Sequence, residues 1–240
     1  MTKSTTTTPF ATLYTTTSFP HARIMKTLAA ASLNDLIVTI APDFIYGTTN
    51  QSAAYLAKFP HGKIPALETS SGFHLAESSA IAYYVSDSGP ARERLLGRTV
   101  EERALVQMWI SFADAEVFAN ASPILGAIAN TQPYIPEVVK PKEEQFLRAL
   151  RRMEVHLDED TVDGKRKWLV MDEEFSLADL SVASSLYWPL KFFVDEETRR
   201  MFPRAMNWWD ALMDEEIVAK AFGKLEMCVN RPQILGESKE

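Results

Sequence analysis

One cysteine, Cys228, is all that the 240-residue chain carries. A lone thiol closes no internal disulfide, so the core has to hold the fold, and this usage fits a reducing compartment such as the cytoplasm. No apolar run approaches the roughly 20 residues of a bilayer-crossing helix, so no membrane partner is expected. The start, "MTKSTTTTP", lacks the apolar stretch of a secretory signal and has no arginine. Residues 1–9 therefore read as a disordered tail. Basic charge is also short. The 25 Lys and Arg face 32 Asp and Glu, a net charge of −7, which argues against nucleic acid and its clustered basic footprint.

Several catalytic motifs are missing as well. "AKFPHGKI" matches a phosphate loop only at Gly62-Lys63, with Ala57 where the first glycine belongs and Ile64 in place of Ser or Thr. His21, His61, His74 and His156 are scattered without metal-ligand spacing, so no metal is expected. No Gly-x-Ser-x-Gly elbow occurs.

What is present is ordinary globular material, 46% apolar, enough for a sizeable core. The first third alternates strand and helix signals. "FATLYTT" reads as a strand, and "PHARIMKTLAAA" as a helix with Ile24, Leu28 and Ala31 on one face. "LIVTI" is a continuous apolar run typical of a buried strand. This strand–helix–strand order implies a parallel pair joined by a crossover helix. "SAAYLAKF" reads as a short helix and "IPALETSSGFHLAE" as a hairpin turning at Ser-Ser-Gly. "SSAIAYYV" closes the unit as a helix with Ile81, Tyr84 and Val85 inward.

"SDSGPARERLLG" reads as a linker, with the boundary near Gly89. Beyond it helices dominate. "VEERALVQMWISFADAEVFANA" is apolar on most of its surface, which predicts burial on several sides. In "KEEQFLRALRRMEVHLDE", Phe146, Leu150, Met153 and Leu157 face inward and Glu144 supports Arg148. "SLADLSVASSLYW" is expected to end at Pro189, and "PRAMNWWDALM" and "EEIVAKAF" are the last helices. The organisation is a small α/β domain over 10–88 followed by an all-helical domain over 98–230.

Three places carry possible chemistry. In "FSLADL", Ser176 and Asp179 form a capping box with Phe175 and Leu180 as staple, a structural reading with an acid–base role for Asp179 as the alternative. Pro65 stands at a strand entry, where proline costs no ladder amide. A cis Ile64–Pro65 bond would instead turn the Ile64 amide and carbonyl outward, to pair with an extended peptide. Glu77-Ser78-Ser79 opens a helix, and its free amides either meet a local cap or seat a carboxylate. Together the last two make a peptide-backbone clamp beside a carboxylate seat. The hydroxyls of "LYTTTSFPHAR" gather where the first strand gives way to the first helix. Ser18 there is either an N-cap or a donor to an anion.

"GKIPALE", "HLAESSAIAYYV" and "SLADLSVASSLYW", in that order and spacing, resemble the glutathione transferase superfamily from about Thr12 to Phe222. "ATLYTTTSF" and "FPRAMNWWDAL" add a similarity to the fungal group related to the N-terminal domain of the elongation factor gamma subunit. That subunit's further C-terminal domain is expected to be missing. The resemblance implies a thioredoxin-like domain followed by a helical one, with glutathione as cofactor. It implies that Pro65 is cis and that Ile64 pairs with the cysteinyl part. Glu77 and Ser78 would hold the γ-glutamyl end, and His61 and Lys63 the glycine end. Ser18 aligns with the activating serine of serine-type members when Arg23 is the anchor, and Thr16 or Thr17 does when Tyr14 is.

The implied chemistry is activation of the thiol and attack on a small-molecule electrophile in an apolar cleft. Trp109, Phe112 and Glu116 would line that cleft, with Trp109 and Phe112 equally readable as interdomain core. A homodimer is implied too. Conjugation, or tailoring or isomerisation in secondary metabolism, is the leading function. A non-catalytic scaffold like the gamma subunit's own domain is the second.

Overall fold

The computed structural model describes residues 8–161 and 164–237. Of the expected tail, residues 1–7 lie outside that range. The first strand, β1 (Ala11–Tyr14), leads into α1 (Ala22–Leu33) and then β2 (Val38–Ile40), which pairs parallel to β1. A 3₁₀ turn at Thr49–Gln51 and α2 (Ala53–Lys58) follow, then β3 (Ala66–Thr69), β4 (His74–Ala76) and α3 (Ser78–Asp87). The sheet order is β2-β1-β3-β4, with β3 antiparallel to both its neighbours. Alternation decides what lies on each face. Ala11 and Leu13 point into the main core with α1 and α3, while Tyr14 joins Phe44, Tyr55 and Phe59 on the α2 side.

"LIVTI" departs from expectation. It forms the outermost strand and is only half-buried, because its other edge has no sheet neighbour. Leu28 and Tyr84 are likewise half-buried against the core, whereas Ile24, Ala31, Ile81 and Val85 are fully inside.

The expected linker is pinned and partly helical. Asn34, which caps the C-terminus of α1, is buried, donates to the Val85 carbonyl at 2.9 Å and accepts from the Ala91 amide at 2.7 Å. A Cβ on Gly89 would lie 2.6 Å from Asn34, so only glycine passes there. The chain then forms α4 (Arg92–Leu96).

The second domain holds α5 (Val100–Phe112), a π-helical segment (Ala113–Phe118), α6 (Ala119–Ile128) and α7 (Pro136–Leu157). After it come α8 (Leu177–Phe192), α9 (Glu196–Arg200), α10 (Pro203–Met213) and α11 (Glu216–Phe222). Between α7 and α8 a two-stranded ribbon, β5 (Asp160–Thr161) with β6 (Gly164–Lys165), breaks the all-helical expectation.

Burial on several sides belongs to α8, not α5. Thirteen residues of α8 are buried, whereas α5 buries only Val106, Trp109 and Ile110 and leaves Leu105 and Met108 exposed. Helix α8 also runs through Pro189 to Phe192 instead of stopping. The missing proline N–H costs one hydrogen bond, which a helix so deeply packed absorbs. On α7, Phe146, Leu150, Met153 and Leu157 are buried as their spacing requires. Arg148 reaches Glu116 at 3.4 Å rather than the expected Glu144.

Candidate functional site

The strand mouth at Pro65 and the start of α3 face one cavity of about 510 Å³. The Ile64–Pro65 bond is cis. The loop before it is anchored from behind. The Tyr55 hydroxyl donates to the Lys63 carbonyl at 2.6 Å, and the buried Asn50 side chain donates to the Gly62 carbonyl at 2.6 Å. Gly62 has φ 60°, and a Cβ there would sit 3.2 Å from the Asn50 carbonyl oxygen, so glycine is what lets the loop close on Asn50.

Opposite, Glu77 is the N-cap of α3 at φ 69°, ψ 117° and offers its own helix no side-chain cap. A non-glycine residue held there costs on the order of 1–3 kcal/mol, strain that natural proteins keep mainly at functional positions. Ser78 is buried, and its Oγ accepts from Arg23 Nε at 3.0 Å.

His61, Lys63, Ile64, Pro65, Glu77 and Ser78, six residues from two separate segments, all line this one cavity. Arg23, Lys58, His74 and Phe118 complete its polar and aromatic wall. A chain of net charge −7 thus surrounds one cavity with Arg23, Lys58, Lys63, His61 and His74, against Glu77 as the lining carboxylate. Such a lining suits a ligand with more than one carboxylate, and Glu77 suits an amino group on it.

Beneath the seat lies a network that sequence reading missed. Arg23 donates to Asp114 Oδ1 at 3.2 Å and stacks over Phe118, 4.3 Å from its centroid. Lys26, almost fully buried, donates to Ser79 Oγ at 2.8 Å, and Ser79 donates to Asp114 Oδ2 at 2.5 Å. Burial lowers the Lys26 ammonium to about 8; nearby Asp114 opposes this shift and Arg23 adds to it. Asp114 and Phe118 both come from the π-helical segment, whose wider turn presents them to the first domain. The available signals were charges out of place: Arg23 in a helix's first turn, where the dipole disfavours a cation, and Lys26 and Asp114 inside apolar runs.

At the rim, Glu68 accepts from Lys58 at 2.7 Å and from the Tyr14 hydroxyl at 2.6 Å, and contacts His74 at 3.2 Å. Lys58 and then Tyr14, as donors, hold its carboxyl down at about 2.

The expected hydroxyl donors are placed elsewhere. Ser18 and Thr17 are exposed, and Thr16 is buried with its Oγ1 accepting from the Ser18 amide at 3.2 Å. None of the three lines this cavity or the adjoining one of about 330 Å³, which shares Arg23 and Phe118 with it.

The expected cleft residues are placed as follows. Trp109 is 1% exposed and packs on Phe112 and on His156 of α7, with centroids 5.0 and 4.9 Å away. It shares the inward face of α5 with Val106 and Ile110, so it is core of the helical domain. Phe112 is half-buried against that core and Glu116 pairs with Arg148. Asp114 and Phe118 of this region contact the first domain, through Arg23 and Ser79.

Asp179, fully buried, is far from any such role. It accepts from the Ser176 amide at 2.9 Å, completing the capping box, and also from the Leu169 amide at 2.9 Å and Trp208 Nε1 at 2.8 Å. Burial pushes its carboxyl upward.

Comparison with known proteins gives the family of the chain. The family model for the glutathione S-transferase N-terminal domain matches residues 11–87, and that for the C-terminal domain matches residues 108–216. A glutathione S-transferase-like protein of Aspergillus aculeatus is 40% identical over 215 residues, 89% of this chain and 98% of that protein. The glutathione S-transferase-like protein FUS3 of Gibberella moniliformis is 37% identical, over 93% of this chain and 97% of its own. Elongation factor 1-gamma of Bos taurus is 32% identical over 92% of this chain, which spans 48% of that longer protein.

Among solved structures, the transferase-like domain of elongation factor 1-gamma from Saccharomyces cerevisiae superposes with a TM-score of 0.77 at 20% identity, over 94% of this chain and all of that one. The glutathione transferase URE2P6 of Phanerochaete chrysosporium, in complex with oxidized glutathione, gives 0.75 at 21% identity, over 89% and 95%. The chain is a member of the glutathione S-transferase superfamily, of the fungal kind related to the elongation factor gamma subunit.

Proposed function

We propose that this protein binds glutathione in the 510 Å³ cavity and transfers it to a small electrophile, as a tailoring or isomerising step in secondary metabolism. The observation that carries the reading is the convergence of the cis-proline mouth and the strained Glu77-Ser78 start of α3 on one basic-lined cavity. The names of relatives such as FUS3 and LUC7, the latter 39% identical over 90% of this chain, support the metabolic setting.

The residues divide the work. Ser78, backed by Arg23, and the first amides of α3 receive the γ-glutamyl carboxylate, while Glu77 takes its amino group. Ile64 offers its backbone to the cysteinyl unit as an added strand would. His61 and Lys63 meet the glycine carboxylate. Glutathione supplies a thiol whose sulfur, once ionised, attacks an electrophilic carbon. A free thiol ionises near pH ~8.5, so lowering it by about two units needs ~2.7 kcal/mol of preferential stabilisation of the thiolate. The electrophile would enter through the adjoining cavity between the domains.

Titration calorimetry with glutathione, together with conjugation of a generic aryl halide, tests the reading. Binding and turnover are expected, and Ser78→Ala should weaken binding about tenfold, the loss of one hydrogen bond to a charged group. No binding by the wild-type protein would sink the reading. Binding without turnover on any electrophile would favour the scaffold role suggested by the kinship with elongation factor 1-gamma.

A further inference from the structure

Ser18, Thr17 and Thr16 line neither cavity, whereas His21 lines the second. It is the N-cap of α1, yet its side chain makes no cap hydrogen bond. Its Nδ1 lies 2.7 Å from the hydroxyl of Thr15, a residue 1% exposed and therefore fixed in place. Among the described residues Nε2 has no partner. The ring lines the 330 Å³ cavity, whose shared residues Arg23 and Phe118 put it at the seam with the glutathione cavity. A sulfur carried in the one cavity and an electrophile in the other would meet there.

We propose that His21 is a catalytic residue: the Thr15 hydroxyl donates to Nδ1, and the hydrogen thereby held on Nε2 is donated to the glutathione sulfur as it ionises. The ring serves as a neutral donor. Burial, with the Arg23 guanidinium adding to it, lowers the imidazole to about 4, so at neutral pH it is uncharged and keeps a single N–H. A neutral imidazole that donates to developing negative charge has precedent as a chemical strategy. The balance is simple. The thiol proton passes to water, the sulfur lone pair forms the carbon–sulfur bond, and for an aryl halide the halide leaves with the electrons of its own bond. Ser122, Thr131, Gln132, Arg23 and Trp188 line the same cavity and suit an unsaturated electrophile that carries hydrogen-bonding groups.

This inference rests on the glutathione reading, and its test separates the two. In the ligand-free protein, nitrogen NMR of the ring should show the Nε2–H tautomer, neutral until pH falls to about 4. In the complex, the ultraviolet absorbance of the bound thiolate gives the thiol pKa. His21→Ala should raise that pKa by about one unit or more and lower kcat/KM for an aryl halide near neutral pH about 100-fold, while calorimetry finds glutathione still bound. His21→Gln, which keeps an N–H donor, should recover part of the loss, and circular dichroism checks that both variants fold. A wild-type protein that binds glutathione, paired with a His21→Ala whose bound thiol titrates unchanged, would overturn the assignment to His21 alone, as would the Nδ1–H tautomer. A wild-type protein that binds no glutathione would remove the reading beneath and this one with it.

Discussion

Lys26 is a cation folded into the interior of α1, 2% exposed and held by Ser79. Its ammonium falls from 10.5 to about 8 on folding, chiefly through burial. The shift is downward, so between those two values the unfolded chain binds more protons than the folded one, and stability rises with pH across that window. The gain amounts to about 3 kcal/mol at most. Lys26→Met should abolish this slope. Urea unfolding at pH 7 and pH 10 should show the wild-type protein gaining on the variant as pH rises, and parallel behaviour of the two would refute the linkage. The position was not legible as functional in the sequence, because a lysine among Ile24, Met25 and Thr27 declares its neighbours on α1 but not Ser79 or Asp114, which lie far along the chain.

At the scale of the element, α8 shows what local pattern reveals. The Ser176–Asp179 capping box was legible because both partners lie within one turn. The other two donors to Asp179, the Leu169 amide and Trp208 Nε1, come from segments that meet only in the folded domain. Removing the carboxylate strands the Ser176 amide and hydroxyl, the Leu169 amide and Trp208 Nε1 together, so Asp179→Ala should cost about 3–5 kcal/mol. Loss of a cap alone is worth only ~1 kcal/mol. Chemical denaturation distinguishes these outcomes, and a loss near the smaller figure would show that the contacts to Leu169 and Trp208 contribute little. The π-helical segment is the converse case. Its residues read as plain helix, and only packing against α1 and α3 gives Asp114 and Phe118 their partners.

For the whole molecule, the surface left apolar is informative. Phe73, Tyr83, Leu105 and Met108, on the β3–β4 turn, α3 and α5, are exposed, and we propose that a second copy of the chain covers them, in the homodimer that the family resemblance implies. Light scattering should then report twice the 27.0 kDa chain mass, and joint Leu105→Glu and Met108→Glu substitution should halve it. A wild-type protein of monomeric mass would refute the homodimer.

The sequence by itself determined the two-domain order, most of the elements and the pairing of the Ile64-Pro65 strand mouth with the Glu77-Ser78 helix start, while His61 and Lys63 came from the family resemblance. Those features rest on local periodicity, on caps and on short motifs whose parts lie within a few residues of one another. Tertiary structure alone decided that Trp109 is core and that Arg23, Lys26 and Asp114 lie beneath the start of α3. It also put His21, and not Ser18, in the lining of the second cavity. The reason is physical. A side chain's chemistry depends on burial and on partners tens of residues away, and neither is set until the helices of the second domain close against α1.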